Sequence, residues 1–181
     1  MKKTSFIILV ILISFLVCGC TKEKEETNVV ESNGTTTIKQ TIVGSEFNEK
    51  GTGALNCTTK AVAAEGIDVA INYIINYKRG NILNLLSVQK IISSEQSNLD
   101  LYENAFADIE KNYSGLKYYD TSVVRDSNSV TYTININYEK IDVDKLLEIE
   151  GAEDNIIEKG KAKLSLWLAL AEKLGTVCEE A

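Results

Sequence analysis

The chain has 181 residues, 44% of them hydrophobic, which is enough for a single core, and a formal charge of −7, which disfavours nucleic acid, whose phosphates call for clustered Lys and Arg. It contains no histidine and no proline. The missing histidine excludes Ser-His-Asp and Cys-His nucleophilic machinery and every His-ligated zinc or iron site, so any chemistry would fall to carboxylates, Lys, Tyr, Ser or Thr; the missing proline excludes proline-rich spacers and cis-proline turns.

In chain order, Lys2 and Lys3 precede an apolar run from Phe6 to Val17 that only Ser14 interrupts. A run of about a dozen residues falls short of the roughly 20 that a spanning helix needs, so residues 1–19 read as a cleaved signal peptide. Val17-Cys18-Gly19-Cys20 resembles the bacterial lipobox, with a branched apolar residue at −3, a small one at −1 and the acylated cysteine at +1; Cys18 departs from the commoner Ala, Ser or Thr at −2. The resemblance implies a diacylglycerol on Cys20. It therefore implies a lipoprotein whose partner is the membrane, held on the extracytoplasmic face by two acyl chains. The other reading is a secreted, unlipidated protein in which Cys20 is incidental.

Residues 20–53 are polar and charged around Lys22-Glu23-Lys24-Glu25-Glu26 and Ser32-Asn33-Gly34, and read as a tether behind the acylated cysteine, with a short edge strand at Thr37–Val43. Asn33, Asn56 and Asn112 each begin a glycosylation sequon, which behind a bacterial lipobox reads as chance. Cys57 and Cys178 remain as an even pair in an extracytoplasmic compartment, which predicts a disulfide closing a loop of about 120 residues; two free thiols are the alternative. Glu179 and Glu180 beside Cys178 argue against a reactive thiolate there.

Residues 54–181 read as one α+β domain. Ile67, Val69, Ile71, Tyr73, Ile75 and Tyr77 alternate with Asp68, Ala70, Asn72, Ile74 and Asn76 as one strand; Lys78-Arg79-Gly80-Asn81 marks a turn, and Ile82–Ile92 returns as a hairpin arm with Leu83 and Leu85 on one face. Leu99, Tyr102, Phe106, Ile109 and Tyr113 recur at helical spacing, with Ser97 as N-cap, Asp100 as capping-box acid and Gly115 as the stop. Lys117–Arg125 reads as a strand, Asp126-Ser127-Asn128-Ser129 as a turn, and Val130–Tyr138 as the most regular alternating strand of the chain. Asp142 caps a short helix through Leu147, with Ile141 as its staple. A last helix over Lys159–Leu174 puts Leu164, Trp167, Leu168, Ala171 and Leu174 on one face, and Gly175 stops it. The expected architecture is an antiparallel sheet of long hairpins with two to three helices packed on it.

The segment Cys57–Cys178 is similar to small bacterial lipoproteins of the YehR-like, DUF1307 type, especially their clostridial branch. The similarity is carried by Asn56-Cys57-Thr58, Asn76-Tyr77-Lys78-Arg79-Gly80-Asn81, the run Ile136-Asn137-Tyr138-Glu139-Lys140-Ile141-Asp142-Val143-Asp144-Lys145-Leu146, and the closing Leu174-Gly175-Thr176-Val177-Cys178-Glu179. It implies an antiparallel α+β domain and brings no catalytic residue with it, the family being uncharacterised.

Other candidate residues have plain structural explanations. Glu139, Asp142 and Asp144 lack calcium-loop spacing, and a helix cap accounts for them. Glu148, Glu150, Glu153 and Asp154 read as a solvated acidic loop. Tyr73, Tyr77, Tyr118, Tyr119, Tyr132 and Tyr138 are numerous enough for an aromatic ligand platform, but their placement along strands points to core packing, as does that of Trp167. No motif implies a cofactor, a metal site or a catalytic residue. The functional expectation is a non-catalytic binding or interaction module of the cell envelope, whose partner is a protein, a wall polymer or a small ligand; the alternative is a small envelope hydrolase using a carboxylate pair.

Overall fold

A computed structural model describes residues 50–151 and 155–181. Cys20, the signal segment, the tether as far as residue 49, the strand expected at Thr37–Val43 and the acids Glu153 and Asp154 lie outside the described residues.

The fold is α+β. Six strands form one antiparallel sheet, β1 (Thr52–Ala64), β2 (Ile67–Lys78), β3 (Asn81–Ile92), β4 (Tyr119–Arg125), β5 (Ser129–Asn137) and β8 (Val177–Glu180), in the order β4-β5-β3-β2-β1-β8. Three helices, α1 (Gln96–Tyr113), α2 (Val143–Glu150) and α3 (Leu164–Lys173), accompany them. A second, two-stranded sheet joins β6 (Ile157–Glu158) to β7 (Lys161–Ala162).

Alternation along β2 and β5 sends Ile67, Val69, Ile71, Ile75, Val130, Tyr132, Ile134 and Ile136 into the interior, while Asp68, Asn72, Asn76 and Asn135 stay exposed on the other face. Two apolar clusters share the buried face. The larger packs the α1 stripe Leu99, Tyr102, Phe106, Ile109 and Tyr113 over β2, β3 and β5; the smaller packs Leu164, Trp167, Leu168 and Ala171 of α3 over Leu55, Ile75, Ile82 and Leu85. Each large side chain so buried contributes about 1.5–3 kcal/mol against leaving it in water. Arg125, at the end of β4, fastens α1 from outside through Glu103 at 3.1 Å, Asp100 at 3.0 Å and Gln96 at 2.8 Å.

Several boundaries differ from the sequence reading. Ser97 lies inside α1, whose N-cap position is Glu95 with no side-chain cap; Asp100 pairs with Arg125, and the Ser93 hydroxyl accepts from the Glu95 amide instead. Leu83 does not share the face of Leu85. The register between β2 and β3 slips after Tyr77–Ile82, so that Asn84 pairs with Asn76, and Leu83 is the extra residue of a bulge; both Ile82 and Leu85 thereby reach the core. β4 starts at Tyr119, because Tyr118 takes a left-handed φ of 68°.

The largest difference is at the last helix, which begins at Leu164. Residues Lys159 and Gly160, expected within it, have φ of 52° and 72° and form the two-residue turn between β6 and β7. This is the geometry of Arg79 and Gly80, at 51° and 73°, between β2 and β3. Paired positive φ values match the twist of hairpin arms, and glycine takes the second position without strain. The two turns meet: the Leu164 amide donates to the Gly80 carbonyl at 3.1 Å, and Lys163 bridges Asn81.

Other expectations hold. Asp142 caps α2 by accepting from the Lys145 amide at 3.2 Å, and Ile141 is buried in the same cluster as Leu146, although the helix runs on to Glu150 rather than stopping at Leu147. Cys57 on β1 lies directly opposite Cys178 on β8, and the two are disulfide-bonded across a separation of 121 residues.

Candidate functional site

α1 and α3 cover different halves of one sheet face, and a seam is left between them. Tyr73 and Tyr138 pack against both apolar clusters and mark that seam. A cavity of about 60 Å³ lies there. The sheet supplies its apolar floor from Leu85, Ile134 and Ile136, together with Ser87 and Tyr119. α3 supplies Trp167, Leu170 and Ala171, and the turn after it contributes Leu174 and Thr176. Thr176 is held to β1 by a hydrogen bond between its hydroxyl and that of Thr59.

Strand and helix periodicity place the aromatic groups. Tyr73 stands on the buried face of β2 between Ile71 and Ile75, and Trp167 on the inner stripe of α3. Their ring centroids are 5.1 Å apart with planes at 77°, a corner of two aromatic walls. Tyr138 follows the end of β5, its amide donating to the Leu83 carbonyl at 2.8 Å; the bulge residue therefore anchors a cavity residue.

Among the described residues, Glu150 is the one carboxylate lining the cavity. It is the last residue of α2 and is 5% exposed. Asn155 donates to Oε2 at 2.8 Å and the Tyr113 hydroxyl donates to Oε1 at 3.4 Å. Burial pushes its pKa from 4.5 up to about 7, and the two hydrogen bonds only partly oppose that rise. Tyr113 stacks on Tyr119 with centroids 4.1 Å apart. Burial first, and Glu150 beside them, raise the phenols of Tyr113, Tyr119 and Tyr138 well above the ordinary range, so all three remain protonated at neutral pH. The Tyr73 phenol is pushed up to about 12 by burial. The cavity thus joins apolar and aromatic walls to one buried acid among the described residues.

The reading of Glu148, Glu150, Glu153 and Asp154 as a solvated acidic loop is corrected at Glu150, which is buried and helical. The signal was its spacing: Glu150 lies one turn beyond Leu146, on the buried face of α2. The tyrosines divide. Tyr77, Tyr119 and Tyr132 are buried in the core, Tyr118 is exposed with Lys140 5.7 Å above its ring, and Tyr73 and Tyr138 face the cavity along with core-lining Tyr119. Glu139, Asp142 and Asp144 are not brought together, and among the described residues no three His, Cys, Asp or Glu gather as a metal would require. Among the described residues no helix is long and apolar enough to cross a membrane.

The fold and this cavity define a disulfide-closed α+β domain with a partly open, aromatic-walled pocket. No family model matches the chain, and no curated protein does. Among solved structures, the NMR structure of a protein from Streptococcus pneumoniae TIGR4 aligns with 90% of this chain and 100% of its own, at 15% identity and a TM-score of 0.45. The NMR structure of E. coli YehR aligns with 66% of this chain and 86% of its own, at 17% identity and the same TM-score of 0.45.

Proposed function

We propose that the chain is a lipid-anchored lipoprotein of the extracytoplasmic membrane face, of the YehR-like, DUF1307 type and its clostridial branch, whose domain is a non-catalytic module binding a small ligand in the cavity at Glu150. The observation that carries the binding reading is the cavity itself, apolar and aromatic with one buried acid. The run Asn137-Tyr138-Glu139-Lys140-Ile141-Asp142, on which the family resemblance chiefly rests, supports it. Within that run Tyr138 lines the cavity, while Ile141 and Asp142 staple and cap the helix that ends in Glu150.

The raised pKa of Glu150 favours the competing hydrolase reading, since a general acid works best near neutrality. A glycosidase, however, works with two carboxyl groups, and among the described residues Glu150 is the one carboxylate in the wall. The anchoring half of the proposal rests on the lipobox resemblance at Cys20.

Isotope-labelled protein mixed with the low-mass fraction of a cell-envelope extract tests the binding half by NMR. Shifts confined to Tyr73, Tyr138, Glu150 and Trp167 are expected; an unchanged spectrum, or hydrolysis products without a bound state, overturns it. Membrane fractionation of Cys20→Ala tests the anchor. Loss of the protein from membranes, or an unprocessed precursor, is expected, and unchanged acylation overturns the lipid assignment.

A further inference from the structure

Glu150 is a buried acid with no lysine or arginine paired to it among the described residues. Both of its hydrogen bonds come from neutral donors, Asn155 and Tyr113. The lysines and arginines that form ion pairs among the described residues do so with Asp100, Glu103, Asp108, Asp142 and Glu158, none with Glu150. A glutamate is almost never buried so completely unless it is paired with a cation, because its charged form loses hydration that hydrogen bonds from neutral donors only partly replace. Glu150 lines the cavity, whose other walls combine the rings of Tyr73, Tyr119, Tyr138 and Trp167 with aliphatic side chains.

Those walls select among cations. Small hard metal ions take six or more oxygen ligands, several of them commonly carboxylates, and among the described residues this cavity offers one carboxylate with neutral hydroxyls and apolar side chains around it. An organic ammonium carries a diffuse charge in an apolar skin, and it is attracted to tryptophan and tyrosine rings within about 6 Å of their centroids. Tyr73 and Trp167, packed edge to face with centroids 5.1 Å apart, both line the cavity and offer it two aromatic rings.

We propose that the cavity binds an alkylammonium group, held by the Glu150 carboxylate and by the aromatic corner of Tyr73 and Trp167, with Tyr138 as a further wall. The proposal rests on the reading of the domain as a ligand-binding module and names the ligand's class. A volume of about 60 Å³ encloses the ammonium end alone, and the remainder of a larger ligand leaves past the half-buried Leu170 and Leu174. Methylated ammonium and the primary amine of a lysine-like chain share this chemistry.

Trp167 is the single tryptophan of the chain and so reports on the cavity directly. Its fluorescence, together with calorimetry on the full-length protein in detergent, is followed while tetramethylammonium, n-butylammonium and their neutral counterparts tert-butanol and n-butanol are added. Saturable binding of one ammonium at least about tenfold tighter than its neutral counterpart is expected, the better of the two distinguishing a methylated ligand from a primary amine. Glu150→Gln should weaken that binding about tenfold or more while the protein stays folded by circular dichroism, and Tyr73→Leu should weaken it with Glu150 intact. Neutral counterparts that bind as tightly as the ammonium ions, or a Glu150→Gln protein that binds them undiminished, overturn the ligand class and leave the binding module standing. No saturable response to any of the four probes overturns both.

Discussion

A carboxyl group with an ordinary pKa of 4.5 that burial holds near 7 keeps its proton in the folded protein over a range where the unfolded chain has already lost it. The folded state binds more protons between those values, so stability falls as pH rises through that window. The contribution of Glu150 is fully present below about pH 4.5 and lost above about pH 7, a swing on the order of 3 kcal/mol. Groups facing it are Tyr113 from α1, Tyr119 from β4, Tyr138 after β5 and the neutral amide of Asn155, and all three phenols are protonated throughout the window. Urea denaturation between pH 5 and pH 8 should therefore show a falling midpoint in the parent and a much flatter one in Glu150→Gln. A parent whose midpoint does not fall across that range would contradict the burial argument. At this scale the sequence was legible wherever a residue followed the period of its own element. Trp167 and Tyr73 are inward-facing by spacing alone. That a space would be left between them depends on α1 and α3 covering separate halves of the sheet, which no local pattern records.

Among the elements, the long strands and α1 were legible because alternation in β2 and β5 and the apolar stripe of α1 each persist for two turns or more of their period. Short elements were not. Lys159-Gly160 sits in a run compatible with helix, and only the pairing of Ile157 with Ala162 makes it a hairpin turn. That pairing is stabilised by docking on the β2–β3 turn, a contact between residues about eighty positions apart. α2 was legible at its start, where the Asp142 carboxylate accepts from a helix amide, and illegible at its end, where an acidic run disguised a buried residue. Asp142→Ala should cost about 1 kcal/mol of stability, and Asp142→Asn much less, by chemical denaturation. Because α2 carries Glu150 at its far end, the alanine variant should also broaden the NMR signals of Asn155 and Tyr113. Equal stability of the two variants would show that the cap bears no load.

For the whole molecule, the disulfide joins the first and last strands of the sheet and closes nearly all of the described chain into one loop. Replacing both cysteines, Cys57→Ser with Cys178→Ser, should lower the unfolding free energy by about 4–5 kcal/mol on the chain-entropy argument, measured by denaturant titration. A loss below about 1 kcal/mol would mean that β8 holds its place by pairing alone. The same strand pair steadies the cavity, since Thr176 lies two residues before Cys178 and binds Thr59 on β1. A clasped sheet with a seam between two cores thus holds the buried acid Glu150 beside aromatic rings. Carbon-13 NMR of the Glu150 carboxyl from pH 4 to pH 9, with and without tetramethylammonium or n-butylammonium, measures that acid directly. A midpoint near 7 in the free protein, moving downward when an ammonium ion is bound, is the predicted result; a midpoint near 4.5, or one that neither ion moves, would contradict it.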